Sequence, residues 1–209
     1  MAQVDIVEVN AAPLSRGRPA IDPLGAVLTV VAGAALLWLP FAVFKANRIV
    51  PGDPRDLFDV LPARSALACY AVLACVGVCA LTVSNARLRL AAALLGIVAI
   101  SLAVAAMGDL LTPAGNRVVR VSPGPSFWLV LTSLGLLATD AITRMRPGPG
   151  LRVLFLLLFF VVALLALAHG TFDHLSVMRE YAVNADRFAR EVRQHVLLAI
   201  GVHRVLPHH

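Results

Sequence analysis

The segment LRVLFLLLFFVVALLALAH, residues 151–169, decides the fold class of this chain. Apart from Arg152 near its start, the segment contains no Asp, Glu, Lys or Arg. The hydrocarbon core of a bilayer is about 30 Å thick and needs about 20 apolar residues in helical form. Lipid offers no hydrogen-bond partner to an open backbone, so the backbone must satisfy itself within a helix. The segment therefore predicts a transmembrane helix.

Four earlier segments have the same apolar character. They are residues 24–44, 65–83, 88–111 and 126–142. The first two carry no charge, the third contains Arg89 and Asp109, and the fourth contains Asp140. We therefore predict an all-α polytopic membrane protein with five transmembrane helices, preceded by an N-terminal tail at residues 1–23.

The composition of the whole chain agrees with a membrane protein. Of its 209 residues, 59% are hydrophobic and 14% are charged, against roughly 45–50% and about 25% in soluble domains. The net charge is +6, and the basic residues, all arginine except Lys45, lie in short segments between apolar runs. This distribution is typical of membrane-protein loops rather than of a nucleic-acid-binding patch. The lipid bilayer is the expected partner, and no nucleic acid is expected.

The three cysteines, Cys69, Cys75 and Cys79, fall within one apolar run. Cys75 and Cys79 are four residues apart and share a helix face, where the geometry does not suit a disulfide. No histidine or acid lies near enough in sequence to complete a zinc pattern. Buried, inert thiols are the favoured interpretation.

Motifs of the common enzyme classes are missing from the sequence. It has no G-x-S-x-G, no H-E-x-x-H and no glycine-rich phosphate loop. The Pro147–Gly150 run forms turns, because a phosphate cradle needs a following lysine and a helix N-terminus. We therefore expect no enzymatic activity, no catalytic residue and no cofactor, and a membrane-embedded enzyme is only a weak third alternative.

Asp109 and Asp140 are the acids inside apolar runs, and an intramembrane acid is a functional candidate by default. Both lie within about one turn of a predicted helix end, where a carboxylate reaches the interface. Arg144 follows Asp140 at the i,i+4 spacing that allows an ion pair. Structural pairing is favoured over a transport or proton role, which stays open as an alternative.

A weak metal-binding pattern follows the fifth predicted helix. His169 and His174 bracket Asp173, but no further ligand stands at a recognisable spacing. We therefore expect no metal site.

The connections between the predicted helices carry turn signals. Segment 45–64 contains Pro51-Gly52 and Asp53-Pro54, which predict a structured aqueous loop. Segment 118–121 could form a short extended piece before the turn that opens the fourth helix. Trp128, just inside that helix, has the position of an interfacial anchor.

Residues 172–195 behave differently from the apolar segments. Apolar side chains recur there every three or four positions, with arginines and glutamates between them. This pattern predicts an amphipathic helix lying along the membrane interface or against the helix bundle. Two i,i+4 ion pairs are expected within it, Asp186 with Arg190 and Arg187 with Glu191.

Counting basic residues does not settle the orientation in the membrane. With a cytoplasmic N-terminus, the inside segments would carry seven arginines and the outside segments eleven basic residues, which favours the opposite orientation. However, the two short loops at 84–89 and 143–152 contain basic residues and no acid, as cytoplasmic turns usually do.

Three stretches go beyond composition: LPFAVFKANRIVPGD (39–53), RVSPGPSFWLVLTSLGLLATDAI (120–142) and GTFDHLSVMREYAVNADRFAREVRQHVLL (170–198). In this order and spacing they resemble the N-terminal region of an osmoprotectant ABC importer permease of the YehY-like kind, which takes up glycine betaine, choline or carnitine. The resemblance extends from about residue 24 to about residue 200. The third stretch is the most specific, because it is polar and a membrane composition alone does not produce it.

The resemblance implies a permease subunit that works with an ATPase subunit and a periplasmic substrate-binding protein in the bacterial inner membrane. It also implies that 170–195 is a periplasmic pre-core helix, which makes the N-terminus cytoplasmic. Residues 196–209 would then be the truncated start of a core helix. The Glu-Ala-Ala type pattern of a coupling loop is absent from the sequence. No substrate-binding residue can therefore be transferred.

The candidate residues that the sequence indicates are structural or assembly positions. They are Asn47, Arg48, Trp128, Asp140, Arg144, Asp173, Arg179, Glu180 and Tyr181. The alternative function is that of a free-standing small membrane protein with a scaffold or assembly role and no transport activity.

Overall fold

The computed structural model describes residues 21–47, 49–112 and 118–205, with side chains described as far as residue 200. The elements in chain order are α1 (Pro23–Trp38), β1 (Ala42–Lys45), β2 (Asp53–Arg55), α2 (Leu57–Val60), α3 (Ala63–Thr82), α4 (Ala86–Leu111), β3 (Arg120–Pro123), α5 (Pro125–Met145), α6 (Pro149–Ala168) and α7 (Ser176–Val205). The mainly helical fold expected from the sequence is confirmed.

Four of the described helices are long and apolar enough to cross a membrane, namely α3, α4, α5 and α6. The helix predicted at 24–44 is shorter, because α1 has 16 residues and ends at Trp38. Pro40 causes this early end, since proline has no N–H to donate and disfavours helical geometry in the residue before it. The prediction of five spans is therefore not confirmed by helix length.

The chain after Pro40 forms a small antiparallel sheet that the all-α prediction did not include. Its strand order is β2-β1-β3, with Ala42 opposite Arg55 on one side and opposite Pro123 on the other. The extended piece expected at 118–121 is present, shifted to Arg120–Pro123. Residues 42–44, at the end of the apolar run that predicted a helix, therefore form a strand instead.

Helices α1, α3, α4 and α5 pack into one bundle. The N–H of Asp22 donates to the carbonyl of Leu81 at 3.3 Å, and the hydroxyl of Tyr70 donates to the carbonyl of Leu36 at 3.3 Å. Helix α1 therefore runs antiparallel to α3. At the other end of α1, the N–H of Ser126 donates to the carbonyl of Pro40 at 3.2 Å, so α1 is also antiparallel to α5.

The bundle thus has two distinct ends. We call the end formed by Asp22, the C-termini of α3 and α5 and the N-terminus of α4 the Asp22 end. The opposite end, which carries the three strands and α2, is the sheet end. Glycine allows α1 to pack closely on α3, as it does between other membrane helices. A methyl group at Gly25 would overlap the carbonyl of Ala80.

Helices α6 and α7 differ from the bundle helices. No residue of α6 is buried, whereas α4 and α5 each bury eight. Helix α7 begins at Ser176, later than the predicted start, and it runs without a break past His195 to Val205. The sequence boundary expected between 195 and 196 is therefore not a boundary in secondary structure.

Candidate functional site

The charged side chain most enclosed by the bundle, among the described residues, is an arginine in the first turn of α4. Asn85 starts this helix, and its side chain accepts a hydrogen bond from the Arg87 N–H at 3.0 Å. The next inward-facing position is Arg89, whose side chain is only 3% exposed. Its Nη1 lies 2.6 Å from Oδ2 of Asp22 and donates to the carbonyl of Ala80 at 2.8 Å. A buried guanidinium of this kind requires anionic partners.

A second arginine completes the group. Nη2 of Arg89 lies 3.2 Å from Oδ2 of Asp140. Arg144 reaches the same two acids, with Nε 2.7 Å from Asp140 and Nη2 2.6 Å from Asp22. Two cations and two anions therefore form a neutral cluster, which we call the Asp22 cluster, and it joins α1, α4 and α5. Such a cluster holds the helices at a fixed register, and removing one member leaves a charge without its partner.

Asp22 has two roles in this cluster. Its Oδ1 accepts hydrogen bonds from the N–H groups of Leu24 and Gly25 at 3.1 and 3.4 Å, which caps α1 ahead of Pro23. Burial raises the pKa of Asp22, but the hydrogen bond from Gly25 and the charges of Arg89 and Arg144 outweigh burial and leave the pKa below its ordinary value. The carboxylate is therefore held in its charged form.

The expected contact between Asp140 and Arg144 is present, but sequence reasoning missed the other two members of the cluster. Asp22 was assigned to the N-terminal tail, and Arg89 to the basic residues of the loop at 84–89. Two signals could have found them. An Asp directly before a Pro is a helix-start signal, and an arginine one turn inside an apolar helix needs an anion from elsewhere.

Two further candidates, Asn47 and Trp128, lie at the sheet end. The side chain of Asn47 accepts hydrogen bonds from the N–H groups of Ile49 and Val50, both at 2.9 Å, so it shapes the turn after β1. Trp128 is 55% exposed and contacts the ring of Phe127 edge-on, with 5.0 Å between the centroids. Arg48 lies outside the described residues.

The start of α7 is fixed to strand β3. The hydroxyl of Ser176 donates to the carbonyl of Val121 at 3.0 Å, and Nη1 of Arg179 donates to the carbonyl of Val119 at 3.1 Å. Nε of Arg120 lies 3.3 Å from Oε1 of Glu180. The candidates Arg179 and Glu180 therefore attach α7 to the sheet.

Tyr181 is not part of this attachment. It is 52% exposed and contacts the ring of Phe188 further along α7, with 6.0 Å between the centroids. Of the two ion pairs expected in α7, Arg187 with Glu191 forms at 3.0 Å. Asp186 and Arg190 form no ion pair in the described part of the chain.

The acid and histidines near the end of α6 do not come together as a metal site. Nδ1 of His174 contacts Oδ1 of Asp109, at the end of α4. The carboxylate of Asp173 instead lies against Gly170, whose φ is +71°. Within the described ranges, no three His, Cys, Asp or Glu side chains are grouped so that they could hold a metal ion.

Residues 22–178 match the family described as the N-terminal domain of the ABC transporter permease YehY. The chain belongs to this family. The matched range begins at Asp22 and ends in the first turn of α7, so it contains the bundle, the sheet, α6 and Ser176, but not Arg179 or Glu180. No curated protein and no solved structure matches the chain significantly.

The family membership confirms the resemblance that the sequence indicated and establishes the general class of the protein. Together with the four long apolar helices, it identifies a multi-pass membrane protein that belongs to a transporter and is not a classical enzyme. In this chain the charged groups of the Asp22 cluster are directed at one another.

Proposed function

We propose that this chain is the N-terminal part of the permease subunit of an ATP-driven importer for osmoprotectants of the glycine betaine type, and that it serves as a scaffold and assembly domain. The observation that carries the assembly role is the contrast between the bundle and α6. The bundle is closed by its own packing and by the Asp22 cluster, while α6 presents apolar side chains on all faces and buries none of them.

The substrate class rests on the resemblance of 170–198 to osmoprotectant permeases, together with the family of the domain. In the complete importer, a separate ATPase subunit would hydrolyse ATP and a periplasmic protein would deliver the substrate. The apolar cavity of about 230 Å³ between α1, α3 and α5 is lined by residues such as Leu28, Leu73 and Leu134. Such a lining does not bind a zwitterion, so we place the substrate path outside this domain.

We further propose that α1 crosses the bacterial inner membrane together with the four longer helices. Its first residues contact the end of α3 and its last residues contact the start of α5, so α1 connects the two ends of the bundle despite its length. The N-terminus and the acid-free loops after α3 and α5 then lie on one side, which we assign to the cytoplasm. The sheet end and α7 face the periplasm.

Uptake measurements test this function directly. In a strain that lacks the complete permease, we expect this chain alone to support no uptake of radiolabelled glycine betaine at high osmolarity and not to co-purify with the ATPase subunit. The complete permease, expressed from the same vector, is the positive control. Uptake by the chain alone would show that the assignment as a scaffold is wrong.

A free-standing scaffold protein is the second candidate function. The exposure of α6 supports it as much as it supports the importer subunit, because both need a partner that covers this helix. The two candidates differ in their partner. Crosslinking from Leu158, in the middle of α6, would capture a permease core under the importer proposal and an unrelated membrane complex under the alternative.

A further inference from the structure

A second cavity lies at the Asp22 end, between the N-terminal halves of α4 and α6 and the C-terminus of α5. It has a volume of about 610 Å³. Its walls run from Asn85 to Leu94 along α4, about 13 Å at the helical rise of 1.5 Å per residue. We call this space the α4–α6 cleft. Since α4 and α6 are both candidate membrane spans, lipids of one leaflet of the bilayer would lie beside the cleft.

The mouth of the α4–α6 cleft is basic. Arg87 lines it, and Arg146 and Arg152 are the sequence neighbours of the lining residues Pro147 and Leu151. All three arginines are exposed. Arg146 ends α5 with a φ of +47°, and Nε of Arg152 donates to the carbonyl of Pro147 at 3.1 Å, which keeps this side chain beside the cleft.

Among the described residues, no acid pairs with these three arginines. The sequence contains no Asp or Glu from residue 60 to 108 or from 141 to 172, and the nearby Asp140 is occupied by Arg89 and Arg144. In the part of the chain that the structure describes, Arg87, Arg146 and Arg152 form no ion pair. Three guanidinium groups at one membrane face therefore have unused capacity for an anion.

Deeper in the cleft the lining becomes apolar. Leu90 and Leu94 face it from α4, and Leu151 and Phe155 face it from α6. A ligand that satisfies both regions carries an anionic group at one end and a hydrocarbon chain at the other. It must also reach the site from within the leaflet.

We propose that the α4–α6 cleft binds one anionic phospholipid, with its phosphate between Arg87, Arg146 and Arg152 and an acyl chain along Leu94 and Phe155. Basic pockets between transmembrane helices bind anionic headgroups in this way, and a guanidinium forms paired hydrogen bonds with phosphate oxygens. The lipid would contact the N-terminal part of α6, which the bundle leaves unburied. This inference is independent of the transported substrate.

Lipid selectivity tests the proposal. The full chain is reconstituted in phosphatidylcholine vesicles that contain trace spin-labelled phosphatidylglycerol or spin-labelled phosphatidylcholine, and the immobilised fraction of each lipid is measured. We expect phosphatidylglycerol to be preferred by about fivefold to tenfold. In R87Q/R146Q/R152Q the preference should fall towards one, and the corresponding triple lysine variant should keep most of it.

Two matched variants separate the cleft from a general charge effect. R187Q/R190Q/R193Q removes the same charge from α7 and should keep the full preference. L94W retains every charge but fills the apolar part of the cleft, and it should lose most of the preference. Circular dichroism and thermal unfolding verify that each variant is folded.

Three results with these variants would overturn the proposal. They are an unchanged preference in R87Q/R146Q/R152Q, an equal loss in the α7 control, and full preference in L94W. Excess inorganic phosphate distinguishes a lipid site from a site for free anions. We expect it to leave the immobilised fraction unchanged beyond ordinary ionic screening by chloride at the same ionic strength, and specific displacement by phosphate would refute lipid binding.

Discussion

Nη2 of Arg89 lies 3.2 Å from Oδ2 of Asp140, although 51 residues separate them in sequence. This contact joins the first turn of α4 to the last turns of α5. Asp22 adds α1 to the same pair through its 2.6 Å contact with Arg89. The three helices are therefore fixed at the Asp22 end by electrostatic contacts, while apolar packing fixes them along their length.

Replacement of Arg89 by alanine should destabilise the bundle strongly. The side chain is 3% exposed, and its loss leaves two acids close together with Arg144 as their remaining cationic partner. We expect the free energy of unfolding to fall by about 3 kcal/mol, measured by denaturant titration in detergent micelles. Arg87→Ala, two residues earlier and exposed, should change it by less than about 0.5 kcal/mol. Equal losses in the two variants would contradict the structural role of Arg89.

Two glycines of α1 should respond in opposite ways to alanine. At Gly25 a methyl group would overlap the carbonyl of Ala80, a backbone atom that moves only with its helix. At Gly33 no atom lies within 4 Å of the added methyl, and alanine favours a helix by about 1 kcal/mol over glycine. We expect Gly25→Ala to lower the thermal midpoint and Gly33→Ala to leave it unchanged or raise it. A lower midpoint only for Gly33→Ala would disprove the packing of α1 on α3.

The stability of the bundle should depend on pH through Asp22. Its pKa is lowered in the folded protein from the ordinary value of 3.8, so the folded state favours the carboxylate. The stabilising contribution is complete above about pH 4 and is lost as the pH falls through the lowered pKa. We expect the unfolding midpoint to decrease as the pH falls below about 4 and to decrease less in Asp22→Asn. Asp186→Asn on α7 is the control. If the pH profile of Asp22→Asn were identical to that of the unmodified protein, this would be evidence against the role of Asp22.

Cysteine labelling should establish the orientation and the crossing of α1. In a background without Cys69, Cys75 and Cys79, we introduce Asp53→Cys, Arg146→Cys or Ile21→Cys and apply a membrane-impermeant maleimide to spheroplasts. We expect labelling of the first before lysis and of the other two only after lysis, because Ile21 and Arg146 lie at the Asp22 end. If Ile21→Cys labels like Asp53→Cys, α1 does not cross. If Ile21→Cys and Arg146→Cys label before lysis and Asp53→Cys does not, the assignment of the cytoplasmic side is reversed.

The apolar runs predicted the long helices well because lipid permits few structures. The observed bounds of α3, α4, α5 and α6 contain nearly all of the predicted spans. The error lies at the first run, which hydropathy extended to Phe44, whereas Pro40 ends the helix and residues 42–44 pair with β3. Hydropathy measures burial from water and does not distinguish a helix from a strand that is covered by its neighbours.

The sequence by itself determined that the chain is a helical membrane protein, which family it resembles, and that Asp140 has Arg144 within reach. These properties depend on composition and on spacings of three or four residues, which a helix converts directly into contacts. Only the tertiary structure decided that Asp22 and Arg89 complete the cluster, and that Arg87 of α4 and Pro147 and Leu151 near the start of α6 line one cleft. The physical reason is that these groups come from different helices, so their distances depend on how the helices pack and not on their separation in sequence.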